Sequence, residues 1–166
     1  MLTSRTIESP VGPLTIAGVD GVVHHLRMDA QTYPPEGQGT WCDDDTAFDD
    51  VAEQLDSYFT GERTTFDVSL HFEGTDFQRR VWHALLEIPF GETRTYGALA
   101  AQLGSPGAAR AVGLANGHNP IGIIVPCHRV IGADGSLTGY GGGVDRKRRL
   151  LDHERSVTGG PLTLFA

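Results

Sequence analysis

What this chain lacks bounds it first. Its 166 residues include two cysteines, Cys42 and Cys127, far apart and outside any CxxC pair or Cys/His cluster. That excludes a disulfide framework and a structural zinc site, and leaves free, reduced thiols. His24, His25, His71, His83, His118 and His153 are too scattered to propose as metal ligands, and the Gly-rich stretch near residue 140 has neither a GxGxxG nor a Lys-Ser/Thr phosphate motif. No metal and no cofactor are expected. No apolar run approaches the roughly 18 residues that a bilayer crossing needs, and Met1-Leu2-Thr3-Ser4-Arg5 has no signal-peptide core. The expectation is a cytoplasmic protein with no membrane partner. Internal repeats are also absent.

Basic residues are scarce in the first half. Residues 1–74 carry 3 Arg against 14 Asp and Glu, a net of −11, whereas residues 75–166 carry 10 Arg and Lys against 7 acids, a net of +3. The whole-chain charge of −8 alone argues against a polyanionic partner, since phosphate contacts need Lys and Arg. The asymmetry assigns any such contact to the second half, with the first half facing away. The length suffices for a substantial core, in one large domain or in two units that share it.

Along the chain, residues 6–18 hold two β-prone pieces around a Pro/Gly turn and residues 21–28 a third, which predicts a small antiparallel sheet. Pro, Gly and acidic residues mark a loop over 29–45. Asp45 or Thr46 can then cap a helix with Phe48, Val51, Leu55, Tyr58 and Phe59 at helical spacing. Residues 66–72 alternate, as a strand or extended connector. Thr75 caps an amphipathic helix through Phe77, Val81, Ala84, Leu85 and Ile88, stopped by Pro89 and Gly91. Thr95 starts a short helix, Gly104-Ser105-Pro106-Gly107 turns, and residues 108–115 form another. Two short helices across such a turn fit a helix-turn-helix and a purely structural hairpin equally well. A Gly-rich loop, 138–143, leads into a basic helix, 145–154. Its Arg146-Lys147-Arg148-Arg149 run reads as a solvated face or a phosphate contact. A loose tail is expected from about Ser156.

The stretch the chain is organised around is residues 119–131. β-Branched residues closed by Pro120 and Pro126 predict a short, stiff, buried strand. It delivers a thiol beside an imidazole and a guanidinium, neighbours that lower a thiol's pKa. Adjacent residues on a strand face opposite ways, so direct contact between Cys127 and His128 does not follow from the sequence, and a bridging water can link them instead.

Pro126-Cys127-His128-Arg129-Val130 resembles the active-site signature of the O6-alkylguanine-DNA alkyltransferases, the methylated-DNA-protein-cysteine methyltransferases. The resemblance runs over roughly residues 75–155, through Arg110-Ala111-Val112-Gly113, Asn119-Pro120, Gly139-Tyr140-Gly141-Gly142 and Glu154, in the family's order and spacing. The first 70 or so residues match only weakly. The resemblance implies an α/β fold with two halves. Residues 1–74 would form a ribonuclease-H-like half containing the small antiparallel sheet. Residues 75–166 would form a mostly helical, winged-helix-like half that binds DNA and accepts the alkyl group.

The same resemblance implies roles. Cys127 is the acceptor, His128 its base through a bridging water, and Glu154 the group that orients the imidazole. Asn119 ties its turn to the active-site backbone. Arg110 fills the space of an extruded nucleotide, on a helix whose small residues, Ala111 and Gly113 among them, allow a close approach in the minor groove. The Tyr96 hydroxyl donates to the flipped guanine, Tyr140 stacks on it, and the backbone at Gly141 approaches O6. Val130, in the signature, joins the substrate-binding set. The implied activity is direct repair of double-stranded DNA containing O6-alkylguanine, by a monomer, with cooperative assembly on DNA left open. A thioether cannot be cleaved as easily as it formed, so each molecule reacts once. Three other readings stand beside it: an alkylated-base sensor without chemistry, against which the presence of Cys127 argues; a winged-helix regulator in which Cys127 only packs; and a Cys-His hydrolase that turns over.

Overall fold

The computed structural model describes residues 1–137 and 140–159. Thr138 and Gly139 of the Gly-rich loop, and the end of the tail from Gly160, lie outside the described residues.

The three β-prone pieces form antiparallel strands β1 (Thr3–Ile7), β2 (Leu14–Val19) and β3 (Val22–Met28). Leu14 pairs with Ile7 on one side and Met28 on the other. Strand alternation puts Leu14 and Ile16 on one face, where both are buried. The stretch expected to be only a loop contains a fourth strand, β4 (Cys42–Asp43), parallel to β1. Ser4 Oγ donates to Asp43 Oδ1 at 3.0 Å and the Cys42 amide to Leu2 O at 2.9 Å, contacts that local composition does not reveal.

Helix α1 (Asp49–Phe59) starts later than either expected cap. Asp44 takes the amide and hydroxyl of Thr46 into a separate turn, and Phe48, at φ 58°, occupies the N-cap position. The extended connector then runs beside β3, with the Val23 amide bonded to Ser69 O.

In the second half, Thr75 and Gln78 close a full capping box on α2 (Asp76–Leu85). Next come β5 (Arg94–Thr95), α3 (Tyr96–Gln102), α4 (Ala109–Gly117), β6 (Val130–Ile131) and α5 (Val144–Thr158). Thr95 caps α3 through the Ala98 amide at 3.0 Å. Trp82 Nε1 donates to Ala115 O at 2.9 Å, binding α2 to α4, and β5 pairs in parallel with β6. Helix α5 continues past Ser156, where the loose tail was expected to begin, to Thr158. Gly159 at φ 78° supplies the left-handed cap that ends it.

One core joins the halves: Leu14, Leu26 and Leu55 from the first, and Leu85, Val112, Ile121 and Leu150 from the second, belong to a single buried cluster. The Leu26 amide bonded to Pro120 O, and Gly122 amide bonded to Leu26 O, fasten the edge of the sheet to the Cys127 segment. Among the described residues, no helix is long and apolar enough to cross a membrane.

Candidate active site

Residues 119–131 are buried but for a partly exposed Pro120, as expected, yet only Val130–Ile131 at their end is a strand. Ile121 makes a single bridge to Leu26, the chain then turns with Ile123 at φ 69°, and Cys127–Arg129 forms a 3₁₀ turn. Asn119 accounts for the difference. Its Nδ2 donates to Val125 O at 2.8 Å and its Oδ1 accepts from the Ile121 amide at 3.0 Å, so one buried side chain satisfies backbone groups that a ladder would otherwise claim. Asn116 on α4, which no motif singles out, adds a bond from its Nδ2 to Cys127 O at 3.3 Å. A 3₁₀ turn has three residues per revolution. Successive side chains therefore splay around its axis, and Cys127 and His128 are not forced onto opposite faces.

The hub of the site is Glu154 on α5, wholly buried like His128. Its Oε2 accepts from His128 Nε2 at 2.6 Å, Tyr58 Oη at 2.6 Å and Arg129 Nη2 at 3.0 Å. Its Oε1 accepts from Arg129 Nε at 2.8 Å and the Gly91 amide at 3.1 Å. Arg129 Nη1 reaches Ile88 O at 2.7 Å. Burial pushes the Glu154 carboxyl up, but the pull of His128 and Arg129 is stronger and holds it well below the usual carboxylate range. His128 goes the other way: burial, joined by the charges of Arg129 and Lys147, outweighs the pull of Glu154 and lowers its pKa. The result is a neutral imidazole against an ionised carboxylate. That pairing keeps the proton on Nε2 and leaves the lone pair on Nδ1, which has no hydrogen-bond partner among the described residues.

Cys127 is 5% exposed. Burial pushes its thiol up, and the hydrogen bond from Asn119 and the charge of Lys147 only partly offset this. The acidified thiol expected from its neighbours is thus corrected. At rest the sulfur holds its proton, because desolvation outweighs adjacent polarity.

The basic run on α5 is corrected as well. Lys147 is fully buried, donates to Val130 O, and sits 5.8 Å from the Tyr96 ring centroid, with its pKa lowered by burial to about 8. Arg146 donates to Asp29 O and Arg149 to Pro10 O at 3.1 Å, so two of the four cations fasten α5 to the first half. Val130 is itself fully buried. It offers a carbonyl to Lys147 rather than an open side chain to a ligand.

A cavity of about 290 Å³ is lined by Thr32, Tyr33, Gly113, Leu114, Tyr140 and Gly141, among others. It brings Gly113 of α4 to the Gly-rich loop. A Cβ on Gly113 would stand 3.7 Å from the Tyr96 ring, so Tyr96 borders the same region. The Thr32 amide holds Gly141 O at 3.0 Å, and Tyr140 Oη lies 3.8 Å from Met28 Sδ. Helix α4 buries Val112, Ala115 and Asn116 and exposes Arg110, Ala111 and Leu114. The structure therefore gathers Cys127, His128, Glu154 and Asn119 in one buried network, and Gly113, Tyr140 and Gly141 around one cavity. Arg110 stands on the exposed face of α4.

Fold and site together define a mixed α/β protein in which two short helices, α3 and α4, lie beside a buried thiol, imidazole and carboxylate. Residues 76–156 match the DNA binding domain of 6-O-methylguanine DNA methyltransferase, and residues 2–72 its ribonuclease-like domain. The methylated-DNA–protein-cysteine methyltransferase of Mycobacterium bovis is 62% identical over 165 residues, covering 99% of each chain. The crystal structure of the Mycobacterium tuberculosis O6-methylguanine methyltransferase matches with a TM-score of 0.90 at 62% identity, covering 100% of both chains. That of the Mycobacterium tuberculosis OGT in complex with DNA gives 0.91 at 63% identity, covering 93% of this chain and 94% of the other. The chain belongs to the 6-O-methylguanine DNA methyltransferase family, and the likeness includes the first half, where motifs alone show little.

Proposed function

We propose that the protein repairs duplex DNA by moving an alkyl group, methyl foremost, from guanine O6 to the sulfur of Cys127, once per molecule. The observation that carries this reading is the neutral His128, held by Glu154 with its Nδ1 lone pair free of donors among the described residues, next in sequence to a thiol that rests protonated. Such a thiol is inert until a base takes its proton. His128 receives that proton through a bridging water as sulfur attacks, and Glu154 stabilises the imidazolium that forms. The S–C bond forms as the O6–C bond breaks. The electron pair released onto guanine is met by a hydrogen bond from the Tyr96 hydroxyl, so the base leaves without a full negative charge.

A base inside a duplex is out of reach of a buried sulfur, so the nucleotide must turn out into the cavity beside Tyr140 and Gly141. Arg110 fills the gap left in the stack, while Ala111 and Gly113 keep α4 close to the groove. The second half, 75–166, carries the DNA contact and the reaction, and the acidic first half, 1–74, faces away except where Thr32 and Tyr33 close one side of that cavity. The protein works as a monomer in the cytoplasm.

The test pairs two cysteine variants on duplex DNA containing labelled O6-methylguanine. Cys127→Ser binds and takes up no methyl, whereas Cys42→Ser, altered at an exposed thiol, takes up as much as the parent. Label on Cys42, or uptake surviving in Cys127→Ser, overturns the assignment.

A further inference from the structure

One of the donors on Glu154 comes from the half of the chain that has no assigned part in the chemistry. Tyr58, on α1, lies 96 positions from Glu154, and its hydroxyl donates to Oε2 at 2.6 Å in a buried contact. The ring is wholly buried. Phe59 and Phe90 meet it edge-on at centroid distances of 5.0 and 5.8 Å. His153 lies at 5.0 Å and bonds the Tyr58 carbonyl through Nε2 at 2.7 Å. Burial and the Glu154 charge push the Tyr58 hydroxyl well above its ordinary pKa, so it remains a donor at every working pH.

We propose that Tyr58 is a positioning residue for the transfer reaction: from the N-terminal half it fixes Glu154 and shares the negative charge with which Glu154 holds His128. This rests on the reading of His128 as the base. Oε2 serves three donors, Tyr58, His128 and Arg129. Without the phenol, more of its charge falls on the other two, the imidazolium becomes more favourable, and His128 is more often protonated before the thiol needs it. The charged and titratable groups around this pair are Glu154, Lys147 and His153 from α5, Cys127 and Arg129 from the 3₁₀ turn, and Tyr140 from the Gly-rich loop. All of these remain in place when one hydroxyl is removed.

The experiment is the single-turnover rate on duplex DNA containing O6-methylguanine, as a function of pH, for the full-length parent and Tyr58→Phe. The parent should show a rate that rises with pH through the titration of His128. Tyr58→Phe should lower the upper plateau by about three- to tenfold and move the inflection up by about half a pH unit. Replacing Tyr58 with 3,5-difluorotyrosine, a stronger donor on the same ring, should move the inflection down. A purely structural Tyr58 would lower the rate or the melting temperature and leave the inflection where it was, and that result overturns the proposal. If Tyr58→Phe does not fold, the fluorinated protein decides the matter alone, because an unmoved inflection there is equally fatal. A parent that transfers methyl without any such inflection instead refutes His128 as base, which distinguishes failure of the underlying reading from failure of this one.

Discussion

Glu154→Gln keeps the shape of the hub and removes its charge. Five N–H and O–H contacts now end on two carboxylate oxygens, and two of those contacts belong to an Arg129 that is 6% exposed. A glutamine has one acceptor oxygen. Its NH2 group must face either Arg129 Nε or the pair formed by His128 and Tyr58, and either choice sets donor against donor. Breaking one side of a buried ion pair costs about 3–5 kcal/mol. At about 2–4 °C per kcal/mol for a chain of this size, the melting temperature should fall by roughly 6–20 °C. If the amide turns its NH2 to His128, the imidazole accommodates it by moving its proton to Nδ1, and the lone pair that receives the thiol proton is lost. The single-turnover rate should then fall by about 10²–10⁴-fold, the range for a missing general base. Acid sensitivity separates charge from packing. The Glu154 carboxyl is held below its ordinary value of 4.5, so its contribution to stability is present above that pH and lost as pH falls through the lower folded value. The variant should thus lose less stability than the parent on acidification below about pH 4.5. Calorimetry and rapid-quench kinetics check both numbers. A melting temperature within 2 °C of the parent together with a rate within threefold would refute the hub assignment.

Three other changes separate the remaining roles. Arg110→Ala should slow reaction with duplex DNA by roughly one to two orders of magnitude, about 1.4–2.8 kcal/mol, and leave the rate on free O6-methylguanine base within a few-fold; equal slowing of both substrates, measured as single-turnover rates at saturating protein, would remove the finger role. Asn119→Ala strands the buried Ile121 amide and removes one of the two donors on the Val125 carbonyl, which keeps the Cys127 amide at 2.8 Å; at about 1–3 kcal/mol for the stranded amide the urea midpoint should drop accordingly, and a loss under about 1 kcal/mol would show that other groups hold the turn. Lys147→Met removes a buried cation whose pKa falls from 10.5 to about 8. Charging it opposes folding below pH 8, and this penalty fades between pH 8 and 10.5, so over that window the parent should gain stability relative to the variant in parallel urea titrations; a constant difference would mean that Lys147 is not held in a desolvated site.

The legible features were those set by near neighbours in the chain. Thr75 with Gln78, and Thr95 with Ala98, cap their helices within one turn, and the residue types suffice to show it. Cys127, His128, Asn119 and Glu154 were legible because their offsets match a family signature, and the structure gathers them in one network. What was not legible depends on distant partners. Tyr58 meets Glu154 across 96 positions and α5 reaches Pro10 across 139, so neither the hub's fifth contact nor the fate of the basic run shows in local pattern. The β-branched run at 121–125 suggested a strand because β-propensity describes fit to a pleated surface. One asparagine, bonded to its own turn, overrode it. The protonated thiol is hidden for a related reason: adjacency in sequence displays its polar neighbours and conceals how deeply the sulfur is buried.

The central claim is that Cys127 accepts one methyl group from DNA and keeps it. The most direct measurement is the intact mass of the protein after mixing with an excess of duplex DNA containing O6-methylguanine, followed over time and mapped by peptide. The account predicts a gain of a single methyl on the Cys127 peptide, with repaired guanine reaching a plateau at no more than one equivalent of protein however large the excess. Repaired guanine that keeps accumulating beyond one equivalent, with the protein mass unchanged, would contradict it.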